Sequence, residues 1–143
     1  EFLYHSLYGE QANEPMFDYI YDSLQWFDGS PSPTANFHLV FMMRLSLFLG
    51  FYPNLDDFVP GCVFDLRSGS FSSVAPLHSD YLLPDEASQM SLMMRMNYST
   101  MHLFKFTRAQ RNRLLDVIVQ YYRLHIPGFP EMKSLDVLRN IYD

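Results

Sequence analysis

The sequence is poor in the residues that build disulfides, metal sites and membrane spans. It holds one cysteine, Cys62, so an internal disulfide is excluded. Structural zinc asks for four sulfur or nitrogen ligands in a tetrahedron, and only one sulfur is on offer. The longest apolar run, FHLVFMMRLSLFLGF, is broken by Arg44 and is short for a membrane-spanning helix. No basic segment leading into an apolar stretch and a cleavage site opens the chain. Catalytic signatures are missing too. His5, His38, His78, His102 and His125 are scattered, with no pair at the H-E-x-x-H spacing. There is no G-x-S-x-G elbow and no glycine-rich phosphate loop. Cys62 has no base fixed beside it, so a thiol nucleophile is unsupported. His78 and Asp80 in HSD could join a third ligand in a hydrolytic metal site, but such pairs are common by chance. The expectation is a non-enzyme without catalytic residues, bound metal or cofactor, soluble and intracellular, with no membrane contact.

Basic residues are scarce over most of the chain. From Glu1 to Met94 only Arg44 and Arg67 stand against twelve acids, although the whole chain carries a net charge of only −6. From Arg95 to His125 the balance reverses: Arg95, Lys105, Arg108, Arg111, Arg113 and Arg123 face Asp116 alone. One basic segment on an acidic protein is suited to an acidic partner, or is a solvated helix face balanced by acids elsewhere.

Hydrophobic periodicity points to a mainly α fold in one domain, spanning residues 1–143. NEPMFDYIYDSLQWF places Phe17, Ile20, Leu24 and Phe27 on one helical face. Ser32 and Pro33 suit the start of a second helix, which runs to Gly50, a residue fit for a left-handed C-cap. That helix, about 33–50, is apolar nearly all round and should be buried at the centre. VFDL and SFSS around RSG predict a small inserted hairpin at about 63–73, with Cys62 as a small hydrophobe at its start, Val63, Phe64, Leu66 and Phe71 packed onto the helices, and RSG as the exposed turn. VAPLHSDYLL reads as irregular, and PDEASQMSLMMRM as a helix opened by proline and two acids. NYSTMHLFKF suits a short helix or turn. TRAQ fits a capping box, followed by an amphipathic helix with the stripe Leu114, Leu115, Ile118, Tyr121, Tyr122 and His125. Its opposite face carries Arg113, Asp116, Gln120 and Arg123, and Ser134 can cap a last short helix. Arg44, amid FMMRLSLF, must reach water or an acceptor: an ion pair with an acid, or the rim of an apolar groove.

Three blocks, ANFHLVFMMRLSLFLGFYPN (35–54), FDLRSGSF (64–71) and YYRLHIPGFPEMKSLDVLRNIY (121–142), resemble the C-terminal helical domain of the RecO family of bacterial DNA-repair proteins, in its Bacteroidetes version. The resemblance covers nearly the whole chain, from the helix at Glu14 onward, and Lys133 and Ser134 match a lysine–serine pair that opens the last helix in relatives. It implies a recombination mediator: a protein that binds single- and double-stranded DNA, anneals strands, and works with RecR to load recombinase onto strands coated by single-strand-binding protein. It also implies a bacterial cytoplasmic, nucleoid-associated protein. The family's N-terminal OB-fold is missing from this chain, which starts at Glu1 without a methionine and so reads as a C-terminal fragment. Many relatives hold zinc near the hairpin, but with Cys62 alone no zinc is expected here.

A domain of this kind is expected to seat the acidic, phenylalanine-terminated tail of single-strand-binding protein in an apolar groove edged by cations. His38, Arg44, Arg123, Lys133 and Arg139 are the residues expected there, and Lys105, Arg108, Arg111 and Arg113 are expected to face DNA. The alternative is a structural scaffold, packing against its own OB-fold and a partner protein without touching DNA.

Overall fold

The computed structural model describes residues 14–29 and 35–129. Among the described residues four helices, α1 (Glu14–Gly29), α2 (Phe37–Leu49), α3 (Pro84–Arg95) and α4 (Arg108–His125), surround one core, with a 3-10 turn at Met101–Leu103. Three short strands, β1 (Val63–Asp65), β2 (Ser70–Ser72) and β3 (Tyr81–Leu82), form an antiparallel sheet in the order β2-β1-β3. The fold is therefore mainly α with a small inserted sheet, as the periodicity implied. The calls on Ser32, Pro33 and Ser134 lie outside the described residues.

The central helix is α2, which packs against α1, α3 and α4. Phe37, Leu39, Val40, Phe41, Met42, Met43, Leu45 and Ser46 are all buried along it. Burial of each such large apolar side chain stabilises by about 1.5–3 kcal/mol over exposure. Gly50 closes the helix at φ 94°, and its N–H donates to Ser46 O. The start differs from expectation: α2 begins at Phe37, not near residue 33. Asn36 precedes it without capping it, because its amide is used elsewhere, donating to Met101 O and Phe104 O at 2.9 Å each.

On α1 the buried face overlaps only in part with the one the apolar spacing suggested, keeping Ile20 and Phe27. Met16 and Ser23 are buried, with Tyr19, Ile20, Trp26 and Phe27 packed on the core, whereas Phe17 and Leu24 are 48% and 47% exposed. A serine can be buried here because Tyr98 donates to its hydroxyl at 2.8 Å. Trp26 stacks on Tyr98 at 5.0 Å, so aromatic contact chooses the face. Two stripes on this helix satisfy three- and four-residue spacing, and only the neighbours decide between them.

The hairpin turns inward more than its sequence implied. Val63, Phe64, Leu66 and Phe71 are buried as expected, with Phe64 paired to Phe71 on one side and to Leu82 on the other. The segment read as irregular supplies β3. In RSG, Arg67 and Ser68 are exposed, but Gly69 is buried. Its φ is +70°, and a Cβ there would stand 2.6 Å from Tyr121 Oη. The same Tyr121 hydroxyl donates to Phe51 O. The turn, the 51–54 loop and α4 thus meet at one point where only a hydrogen fits.

The amphipathic helix α4 keeps its expected capping box: Thr107 N–H donates to Gln110 Oε1 at 2.8 Å, and Gln110 N–H to Thr107 Oγ1 at 3.1 Å. Its stripe is buried from Leu114 to Tyr122. Replacing Gly69 with alanine should cost about 1–3 kcal/mol in chemical denaturation, through left-handed strain and the Tyr121 contact. Tyr121→Phe in the same background should recover part of that loss, giving a non-additive double-mutant cycle.

Candidate partner and nucleic-acid interface

Arg44 sits on the central helix with its guanidinium half-buried. Nη2 donates to Met96 O at 3.0 Å, at the end of α3, and Nε is buried without a hydrogen-bond partner. No carboxylate among the described residues forms an ion pair with it. A backbone carbonyl therefore takes the place of the acid that the sequence suggested. Arg44 lines a cavity of about 420 Å³ with Tyr19, Asp22, Ser23, Trp26 and Tyr98. The Tyr19 and Tyr98 hydroxyl oxygens lie 3.3 Å apart, and Tyr19 donates to Phe41 O at 3.1 Å. Burial raises both phenols above their ordinary pKa, with the Arg44 charge pulling the other way. Both stay protonated, so the cavity combines aromatic walls, hydroxyls, one cation and one carboxylate.

The remaining cations expected in this groove stand apart. His38 is half-buried between the rings of Phe27 and Phe37, and burial holds its pKa below the usual imidazole value. It lines no part of the Arg44 cavity, nor does Arg123, which is exposed on α4. Lys133 and Arg139 lie outside the described residues. Sequence reasoning missed Tyr19, Trp26 and Tyr98, the residues that give the cavity its walls. For Tyr19 and Trp26 the signal is the aromatic spacing in FDYIYDSLQWF, which also marks a helix face; Tyr98, in NYST, lies far along the chain and carries no local signal.

The basic segment is divided by the fold. Lys105 is exposed on the extended link after the 3-10 turn, and Arg108 is exposed on the first turn of α4. Arg111 leans back over the link, with Nη1 donating to Phe106 O at 2.8 Å. These three lie together around the start of α4. Arg113 points to α3, where Glu86 takes Nε at 2.6 Å and Nη2 at 3.2 Å. That hydrogen bonding holds the Arg113 pKa up against the effect of burial. Arg95 rests over the Phe58 ring at 6.0 Å.

The hairpin offers no metal centre. Cys62 is 2% exposed and free, and no three His, Cys, Asp or Glu side chains gather to hold a metal among the described residues. The residues present do not fit the zinc that the resemblance attaches to this region. A polar clasp stands there instead. Asp65 accepts from the N–H groups of Arg67 (2.9 Å) and Ser68 (3.1 Å) and from His78 Nε2 (3.0 Å). His78 Nδ1 accepts from Asp80 N–H at 3.0 Å, so the ring hydrogen sits on Nε2 and points at Asp65. Asp80 also pairs with Arg67 at 2.8 Å. His125 Nε2 donates to Leu66 O at 2.9 Å, tying the strand to α4. Burial raises the Asp65 pKa, but the Ser68 and Arg67 N–H groups and His78 outweigh it and leave it below the ordinary carboxylate value.

The model of the family described as recombination protein O C terminal matches residues 1–136. DNA repair protein RecO of Bacteroides fragilis is 54% identical over 144 residues, covering 100% of this chain and 60% of that protein. The protein of the same name from Phocaeicola vulgatus is 52% identical over 142 residues, 99% of this chain and 59% of that protein. That of Porphyromonas gingivalis is 35% identical over 146 residues, 100% of this chain and 59% of that protein. The chain thus spans about three-fifths of the length of these curated relatives. No solved structure matches it. No helix among the described residues is long and apolar enough to cross a membrane.

The clasp has an expected pH dependence. With a depressed folded pKa, Asp65 stabilises the fold fully above the unfolded carboxylate pKa and loses that contribution as pH falls through the folded value. Thermal melts of wild type and Asp65→Asn should differ near neutral pH and converge in acid. An equal gap at all pH values would show that the carboxylate charge is not what holds the clasp.

Proposed function

The chain belongs to the recombination protein O C-terminal family, and from that membership we propose that it serves DNA repair by homologous recombination as a mediator domain. It has no catalytic chemistry in this reading and acts by holding partners. The partners are single- and double-stranded DNA, RecR, and the acidic tail of single-strand-binding protein, in the bacterial cytoplasm at the nucleoid.

The observation that carries the tail-binding part is Arg44 at the aromatic cavity. A phenylalanine-terminated tail presents a ring and a carboxylate. The Tyr19, Trp26 and Tyr98 surfaces suit the ring, and a guanidinium with no ion-pair partner among the described residues suits the carboxylate. Asp22 lies on the same cavity and repels the tail's acidic residues, so the tail enters terminus first. Lys105, Arg108 and Arg111, together at the start of α4, are the DNA-facing cations in this reading. They add affinity through counterion release and little sequence preference.

The scaffold reading draws its support from α1. Its outer face exposes Phe17, Tyr21 and Leu24 at four- and three-residue spacing, a stripe suited to packing against another protein surface. Under that reading the protein shifts no DNA at any salt concentration.

A fluorescent peptide with the acidic, phenylalanine-terminated sequence should bind saturably at low salt. Arg44→Ala should weaken it about tenfold or more, the loss expected for a buried charge-assisted contact, and Asp22→Asn should tighten it. Unchanged affinity in both variants, by fluorescence anisotropy, would remove this cavity as the tail site.

A further inference from the structure

A second cavity, of about 520 Å³, lies at the junction of the 3-10 turn and α4, away from the Arg44 cavity. Its volume is in the range of small-ligand pockets. Met101, Phe104 and Phe106 provide apolar walls, and His102, Lys105 and Arg111 line it as well. No Asp or Glu lines it among the described residues, on a chain whose net charge is −6. Phe104 and Thr107 are extended, and between them Phe–Lys–Phe alternates half-buried rings with an exposed cation. Asn36 forms one wall. Its Nδ2 fixes the loop by donating to Met101 O and Phe104 O, while its Oδ1 is buried without a hydrogen-bond partner.

We propose that this cavity takes one unstacked nucleobase of a single-stranded DNA, with Lys105 and Arg111 on the flanking phosphates. The proposal rests on the DNA-binding reading above and adds where, and how, a strand is gripped. The apolar walls and phenyl rings offer a base face a stacking surface, which is tolerant of sequence because every base has a π-face. The charged side chains of the lining, Lys105 and Arg111, are both cationic and complement phosphate. Asn36 favours a base over the phenyl ring of a peptide. Each nucleobase carries an N–H donor that can serve an acceptor at this wall, and a phenyl ring carries none. Arg108, three residues before Arg111 and exposed, continues the cationic track outward along α4. Arg113, held by Glu86, ends it.

The test uses oligothymidylate carrying 5-iodouracil for photo-crosslinking and, separately, 2-aminopurine as a fluorescent base. Crosslinks should map to 101–111 by mass spectrometry of the digested complex, and the 2-aminopurine emission should change on binding. Phe106→Leu keeps apolar volume but removes the ring. It should abolish most of the emission change and weaken binding about tenfold, as loss of one stacked base does, with unchanged thermal melting. Lys105→Glu should weaken binding and flatten its salt dependence. Oligonucleotide binding with crosslinks elsewhere, and Phe106→Leu indistinguishable from wild type, would overturn the pocket while leaving DNA binding standing. No oligonucleotide binding at any salt would overturn both. Displacement of the 2-aminopurine signal by the acidic peptide, with no crosslink at 101–111, would make the cavity a peptide site and overturn the proposal.

Discussion

A helix apolar on every side can be buried only if its neighbours are apolar and its few polar atoms are answered, and that constraint on α2 shapes the rest of the molecule. Three tyrosines answer it from outside. Tyr19 on α1 donates to Phe41 O, Tyr122 on α4 donates to Met42 O, and Tyr121 donates to Phe51 O just beyond the helix end. Each brings a large apolar ring and one hydroxyl, so each fills core volume while binding a carbonyl's remaining lone pair. Burial raises all three phenol pKa values, which keeps them donors. Arg44 obeys the same rule from within, reaching out of the core to the Met96 carbonyl.

The same demand explains how the hairpin keeps its shape. Leu66, between the strand and the turn, bonds through its N–H to Asp80 O and through its carbonyl to His125. Asp65 and Asp80 gather backbone N–H groups, a histidine and an arginine at the surface, while Phe64 and Phe71 face inward. Carboxylates holding N–H groups do locally what a tetrahedral metal does with thiolates: they bring β1, its turn and the β3 approach together. Gly69 permits this, because the turn passes too close to Tyr121 for any side chain.

The +5 segment is one block in sequence and several places in space. Arg113 serves a helix–helix ion pair, Arg95 lies on an aromatic ring, and Lys105, Arg108 and Arg111 share the start of α4. Charge counting could find the segment but not this division, which depends on what each helix turn faces. The Arg44 cavity was half legible. A guanidinium in an apolar helix announced a special position, but its walls come from Tyr19, Trp26 and Tyr98, residues up to 79 positions apart. On α1, both stripes met the helical spacing, and the hydroxyl pair Tyr98–Ser23 decided in favour of the more polar one.

Local chemistry and pattern were enough for the helix class, the central position of α2, the Gly50 stop, the Thr107–Gln110 box and the inward residues of the hairpin. Each of these follows from a few neighbouring residues: a left-handed φ that glycine tolerates, a side chain three positions from an unpaired N–H, an apolar run with no polar side. Only the tertiary structure decided which stripe of α1 is buried, that Tyr81–Leu82 joins the sheet, and that Arg44 meets a carbonyl rather than an acid. The physical reason is common to all three. Each depends on a partner far along the chain, and the energies that choose among partners arise only when both surfaces leave water together.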